Sequence, residues 1–254
     1  MKIAITRPVS PALENCELSF LQRNPIDIDL AVTQHHAYQQ ALAACGCTVR
    51  PLPVEPHLPD SVFVEDAAIV LDEVAVITRP GAASRRAETA SVATALKEYR
   101  ELVEIASPAT LDGGDVLRIG RTLYVGASAR SNPAGIEQLA QLLDRFGYQV
   151  RAVPLHGCLH LKTAVTQVAP DLVLLNPEWV DAEQFSGRKA LHVAPSEPHA
   201  GNALLINGKV IYPVSCPQTG AQLARQGIQV LEVDMSETEK AEGGVTCCSL
   251  VFMT

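Results

Sequence analysis

Near the C-terminus, Gly243-Gly244-Val245-Thr246-Cys247-Cys248-Ser249 sets two thiols behind two glycines and ahead of the apolar run Leu250-Val251-Phe252. Glycine permits close backbone approach or a positive φ, and the apolar run can anchor a strand, so the segment suits a cysteine nucleophile. A buried structural pair is the plainer alternative, since free cysteine often serves as a small core residue. A histidine occurs in Cys158-Leu159-His160-Leu161-Lys162-Thr163, where strict alternation would turn His160 and Lys162 to one side. A lone histidine is usually structural. Beside a thiol it becomes a candidate acid and base, because its reference pKa near 6.5 suits proton transfer at neutral pH.

Acids are grouped in two places. Asp60-Ser61-Val62-Phe63-Val64-Glu65-Asp66 puts three carboxylates around an apolar strand. In a regular strand Glu65 and Asp66 face opposite sides, so only a bulge or strand end would bring both to one ligand. Such a set suits a planar cation, because a guanidinium presents N–H donors in a fork that carboxylates satisfy bidentately; a solvated strand edge is the alternative. Leu111-Asp112-Gly113-Gly114-Asp115 joins two acids through two glycines before a hairpin, which would let Asp112 reach into a site or would simply make a tight turn. Arg85-Arg86 and Arg130 stand at loop-to-helix junctions, as solvated charges or as a carboxylate clamp near unpaired helix N–H groups. Metal binding is disfavoured: Cys45-Gly46-Cys47 and Cys247-Cys248 lack the usual zinc spacing, and the acids lack the alternation of a calcium loop.

These residues are scattered, so a repeated element has to gather them. Gly46 to Leu52, Gly147 to Val153 and Gly227 to Val233 each place a glycine where a helix would end and a strand begin. Ile136 to Leu143 carries the apolar stripe of a helix, and Val116 to Val125 and Ala203 to Tyr212 read as hairpins, the second turning on Asn207-Gly208. A third hairpin is expected within Val62 to Ile77. The unit is strand, strand, helix, strand, and several copies would pack about a common axis with a central channel. No linker or low-complexity tract interrupts residues 1–254, which predicts one domain.

Composition bounds the partners. The net charge of −8 disfavours nucleic acid and anionic membrane and is better matched to a small cationic ligand. No apolar stretch approaches the about 18 residues of a membrane span. Seven cysteines form an odd set, and Met1 to Pro8 reads as a strand stopped by proline rather than a secretory leader, so a reducing cytoplasmic setting is expected. A homodimer is compatible with the sequence but not fixed by it.

Taken together, Phe63-Val64-Glu65-Asp66, Arg79 to Arg86, Leu111 to Asp115, His160-Leu161-Lys162 and Gly243 to Ser249 resemble the dimethylarginine dimethylaminohydrolases, the dimethylargininases of the pentein or guanidine-modifying superfamily, along nearly the whole chain. The resemblance implies a five-bladed α/β propeller and hydrolysis of Nω-methylated L-arginine to L-citrulline and an alkylamine, without cofactor or metal. It implies Cys247 as nucleophile, His160 as proton donor and Asp112 as the acid orienting it. Asp60, Glu65 and Asp66 would hold the guanidinium, Arg85 and Arg130 the amino-acid carboxylate, Leu18 would belong to a lid, and the backbone of Ala241 would meet the α-amino end. A hydrolase of arginine or citrulline, an amidinotransferase and a noncatalytic binding protein are the rival readings.

Overall fold

The computed structural model describes residues 1–254. Its first elements are β1 (Lys2–Thr6), α1 (Ile28–Ala44) and β2 (Cys47–Pro51), followed by β3 (Ala68–Val70), β4 (Val74–Ile77), α2 (Thr89–Leu96) and β5 (Glu101–Glu104). The same order recurs in β6 (Val116–Ile119), β7 (Thr122–Ala127), α3 (Pro133–Asp144) and β8 (Gln149–Pro154). Next come α4 (Leu161–Ala164), β9 (Val165–Ala169), β10 (Leu172–Leu175), β11 (Lys189–His192), β12 (Leu204–Ile206), β13 (Lys209–Pro213), α5 (Pro217–Arg225), β14 (Gln229–Val233), α6 (Ser236–Glu239) and β15 (Leu250–Met253).

The strands form five three-stranded sheets. In each, the middle strand runs antiparallel to one neighbour and parallel to the other, as in β7 between β6 and β8. One blade is assembled from both chain ends: β15 pairs antiparallel with β1 in the register Lys2↔Met253 to Ile5↔Leu250, and β2 pairs parallel on the other side. The middle strands are apolar on both faces because each serves two cores. Val74 and Val76 of β4 pack with β6, β7 and α3, whereas Ala75 and Ile77 pack with β1, β15 and α2. In β13, Val210 and Tyr212 join the core shared with β9 and β10, and Ile211 joins the one shared with β1 and α1. A last core links β6, β7 and β8 to β9 and β10. Five cores between five blades close a ring.

Local chemistry explains the connections. The Asp27 side chain accepts from Leu30 N at the start of α1, and Asn132 does the same from Gly135 N ahead of Pro133 in α3. The helices end before Gly46, Gly147 and Gly227, whose φ of 88°, 71° and 79° are left-handed as the glycine spacing predicts. Asn207 and Gly208 likewise take φ of 50° and 78° in the β12–β13 turn. Two expectations are corrected. Val62 to Phe63 is not strand: Val64–Ala67 forms a 3₁₀ turn and only Ala68–Val70 pairs with β4, because the turn's buried acids need partners from other blades. His160 to Thr163 does not alternate either, since His160 caps the single turn α4. One blade also lacks its helix, with the 3₁₀ turn Ala182–Phe185 between β10 and β11.

His35 on α1 is 3% exposed and neither ring nitrogen has a hydrogen-bond partner. Burial, with a smaller contribution from His36, pushes its pKa down to about 4 from 6.5. The fold therefore holds His35 neutral, and stability falls as pH drops from about 6.5 toward 4, where only the unfolded chain takes up a proton. His35→Leu is expected to reduce the loss of unfolding free energy between pH 7 and pH 5 by about 2 kcal/mol. Urea unfolding of both proteins at the two pH values checks this, and parallel losses would contradict it.

Candidate active site

Five of the segments that carry chemistry occupy equivalent places, each leading into the first strand of a blade. Glu65 and Asp66 precede β3, Asp112 and Asp115 precede β6, His160 and Lys162 precede or open α4 before β9, Asn202 precedes β12, and Cys247 precedes β15. Ring closure thus brings the lead-ins together. Glu65 N donates to the carbonyl of Cys247 at 3.1 Å, and Asn202 donates to Lys162 O at 2.9 Å and accepts from Thr246 N at 3.1 Å. Space is tight: a Cβ on Gly114 would fall 2.6 Å from His160 Nδ1, and one on Gly244 2.5 Å from Asn202 Oδ1. Close approach rather than positive φ is the reason for glycine at these two positions.

His160 is 5% exposed, and its Nε2 lies 3.0 Å from Asp112 Oδ2. The other Asp112 oxygen accepts from Gly81 N at 2.8 Å, so the acid is held before it holds the ring. His160 Nδ1 faces Asp66 Oδ1 at 3.9 Å. Burial disfavours the imidazolium, but Asp66, the bond to Asp112 and Asp115 outweigh it and raise the His160 pKa to about 9. Burial likewise opposes ionisation of Asp66, yet His160, Arg85 and the Gly114 N–H bring its carboxyl below the ordinary range.

The two thiols of the pair differ. Cys248 is fully buried in the core around α1. Cys247 is partly exposed, and its Sγ accepts from Gly244 N at 3.2 Å. It borders a cavity of about 360 Å³ shared with Phe20, Leu21, His199, Glu242 and Gly244. Burial first, then Glu65 and Asp66, push the Cys247 pKa up to about 12, with Gly244 N–H and Lys162 acting the other way. At neutral pH the resting site therefore holds a thiol and an imidazolium.

The remaining predicted residues are placed less uniformly. Glu65 is 8% exposed and bonded to Lys162 Nζ at 2.6 Å and Thr246 Oγ1 at 2.7 Å. Arg85 is not a free clamp. It is 4% exposed, its Nη1 sits 2.7 Å from Asp66 Oδ2, and its Nε and Nη2 form a fork on Glu88 at 3.2 and 2.9 Å. Arg130 is different: its Nη2 donates to Ser19 Oγ at 3.2 Å, while its buried Nη1 lacks a hydrogen-bond partner and stands 3.7 Å from Asp112. The Asp60 carboxylate accepts from Glu17 N at 3.1 Å and so meets the backbone beside Leu18. Leu18 is half-buried in the irregular segment before α1, and Ala241 lies buried in the core around α1 with its N–H on Thr238 O.

Asp66, Asp112 and His160 offer ligand atoms within 4.8 Å of one another. Two guanidinium groups, Arg85 on Asp66 and Arg130 near Asp112, already supply cationic charge there, so the set is poorly matched to a further metal ion. Sequence reasoning left Glu88, Asp115 and Glu242 without roles. The three-residue spacing of Arg85 and Glu88 was a usable signal. Asp115 receives Leu161 N at 3.0 Å, Ser128 Oγ at 2.5 Å and Ser131 Oγ at 2.6 Å, partners no local pattern would reveal.

Residues 14–253 match the family model described as N,N dimethylarginine dimethylhydrolase, eukaryotic. The chain is 41% identical over 250 residues to the N(G),N(G)-dimethylarginine dimethylaminohydrolase of Streptomyces coelicolor, covering 98% of this chain and 96% of that protein. The fold is similar to that of a Pseudomonas aeruginosa dimethylarginine dimethylaminohydrolase mutant complexed with citrulline, with a TM-score of 0.94, 35% identity and 98% of each chain covered. It is likewise similar to a histidine-to-glycine variant of a dimethylarginine dimethylaminohydrolase in an adduct with S-methyl-L-thiocitrulline, with a TM-score of 0.95 at 34% identity, covering 99% of this chain and all of that one. Its five-bladed ring, its buried acid–histidine cluster and this agreement along the chain show that the protein belongs to the dimethylarginine dimethylaminohydrolase family.

Proposed function

We propose that the chain hydrolyses Nω-methylated L-arginine to L-citrulline and an alkylamine, with Cys247 as nucleophile. The observation that carries this reading is the thiol of Cys247 at a cavity wall beside the buried carboxylates Glu65 and Asp66, the second of which also keeps His160 charged. Such a site repels a thiolate until a cation arrives. A guanidinium placed near Glu65 and Asp66 offsets their charge, lowers the thiol pKa and so promotes loss of its proton to solvent. The sulfur then attacks the guanidinium carbon. As the C–N bond to the alkylamine breaks, the imidazolium of His160 gives its proton to the departing nitrogen, leaving an S-alkylthiouronium on Cys247. Water adds to the same carbon and passes a proton to the now neutral His160. The C–S bond breaks as the second proton of the added oxygen passes to the departing sulfur, restoring the Cys247 thiol and releasing citrulline. Relatives that hold citrulline or form an adduct with S-methyl-L-thiocitrulline support this course.

In this scheme Asp112 orients His160 through Nε2, leaving Nδ1 to exchange protons on the Asp66 side. The α-carboxylate is assigned first to Arg130, whose orphaned Nη1 is the donor that lacks a partner. Arg85 acts mainly through Asp66, and Asp60 through the segment containing Leu18; the α-amino end is assigned to the backbone near Ala241. Seven free cysteines favour a reducing cytoplasmic setting.

Incubation with dimethylarginine, monomethylarginine, arginine and citrulline tests the substrate: dimethylamine and methylamine should appear with citrulline, and a preference for arginine with release of ammonia would overturn the assignment. Cys247→Ser should lower kcat roughly a thousandfold or more. Cys248→Ser should largely spare kcat but lose about 1–3 kcal/mol of stability, because its hydroxyl is buried in an apolar core; the opposite ranking in kcat would move the nucleophile. Finally, alkylation of Cys247 by iodoacetamide in the free protein should accelerate about tenfold per pH unit beyond pH 9, since the thiol ionises only near 12. A plateau below pH 8 would contradict the resting charge state.

A further inference from the structure

Between the 3₁₀ turn Leu13–Asn15 and α1 the chain has no regular secondary structure, yet its middle is held by one carboxylate. Glu242 accepts from the backbone N–H of Ser19 at 3.0 Å, Phe20 at 2.5 Å and Leu21 at 2.7 Å. Three successive amides turned onto one anion make a concave nest, and hydrogen bonds to an ionised acceptor are stronger than neutral ones. Apolar packing does not supply this attachment, because Phe20 and Leu21 are 54% and 39% exposed. Both residues border the cavity that contains Cys247 and Glu242.

The other end of the contact reaches the nucleophile. Glu242 has φ of 60°, an uncommon conformation for a residue with a side chain, and directly precedes Gly243-Gly244. Gly244 N donates to Cys247 Sγ. Ser19 is also gripped from the opposite side, its Oγ accepting from Arg130 Nη2. The segment is therefore tied on one flank to the turn that mounts the thiol and on the other to the arginine assigned to the substrate carboxylate.

We propose that Glu242 is a positioning residue that holds residues 19–21 closed over Cys247 and thereby sets substrate affinity; the affinity half of this inference rests on the proposed methylarginine hydrolysis, the closure half does not. Glu242→Gly removes the carboxylate while suiting the left-handed backbone, and Glu242→Gln keeps the length with a weaker, neutral acceptor. Amide hydrogen exchange on the free protein reads closure directly: protection at residues 19–21 should fall roughly tenfold in Glu242→Gly and less in Glu242→Gln. Glu239→Gln removes a charge from the same cavity but touches none of these amides, so it should leave their exchange unchanged. For dimethylarginine, Glu242→Gly should raise KM roughly tenfold with a smaller change in kcat. Unchanged exchange at 19–21 in Glu242→Gly, or faster exchange with KM unaltered, would overturn the proposal. Should the parent protein not turn over dimethylarginine, the exchange comparison still decides closure while the functional reading fails separately.

Discussion

Asp66 is the constraint on which the site is built. A carboxylate 3% exposed must be compensated, because an isolated buried charge would oppose folding by several kcal/mol. It is compensated by Arg85 within its own blade, by Gly114 N at 2.8 Å from the next, and by the His160 ring from the one after. Three successive blades are thereby tied at a single anion. Removing any one of these partners would leave a charge with too few donors, so the ring geometry and the site geometry are the same requirement seen at two scales.

The electrostatic state of the site follows from that requirement. The acids that need cations inside the ring keep His160 charged and Cys247 protonated, the reverse of an ion-paired thiolate poised in advance. In the proposed reaction a cation of the right shape changes that balance. Selectivity for a guanidinium would then arise in activation itself, since a neutral ligand of the same size offsets none of the carboxylate charge that raises the thiol pKa. Glu65 shows the same economy: its oxygens are already matched to Lys162 and Thr246, so it can shape the field around the thiol without being left unpaired.

The fold contributes equivalence. Each blade places the lead-in to its first strand near the axis, so one architectural position is filled by acids, by the histidine, by Asn202 and by the thiol in turn. Alternating apolar residues on the middle strands feed cores on both sides of every blade, and the β15–β1 pairing closes the ring at the chain ends. The irregular segment before α1 is the one part of the site that this ring does not build. It is attached by polar contacts to Asp60, Arg130 and Glu242, and Cys16, Leu18 and Ile26 pack with the core around α1.

What the sequence determined by itself was local or periodic. Glycine C-caps at 46, 147 and 227, the Asn207-Gly208 turn, the helical stripe of α3 and the repeated strand–strand–helix–strand order were all readable, because backbone conformation and one-face burial are encoded within about ten residues. The residue types of the site were readable too, as motifs. Tertiary structure alone decided their partners. It turned Glu65 and Asp66 out of a strand into a 3₁₀ turn, spent Arg85 on Asp66 and Glu88 while leaving Arg130 Nη1 without a hydrogen-bond partner, and separated Cys247 at the cavity from Cys248 in the core. The reason is that the pairing of a buried charge depends on which groups lie within a few ångströms, and here those groups come from positions tens to hundreds of residues apart, as Glu242 and Ser19 do.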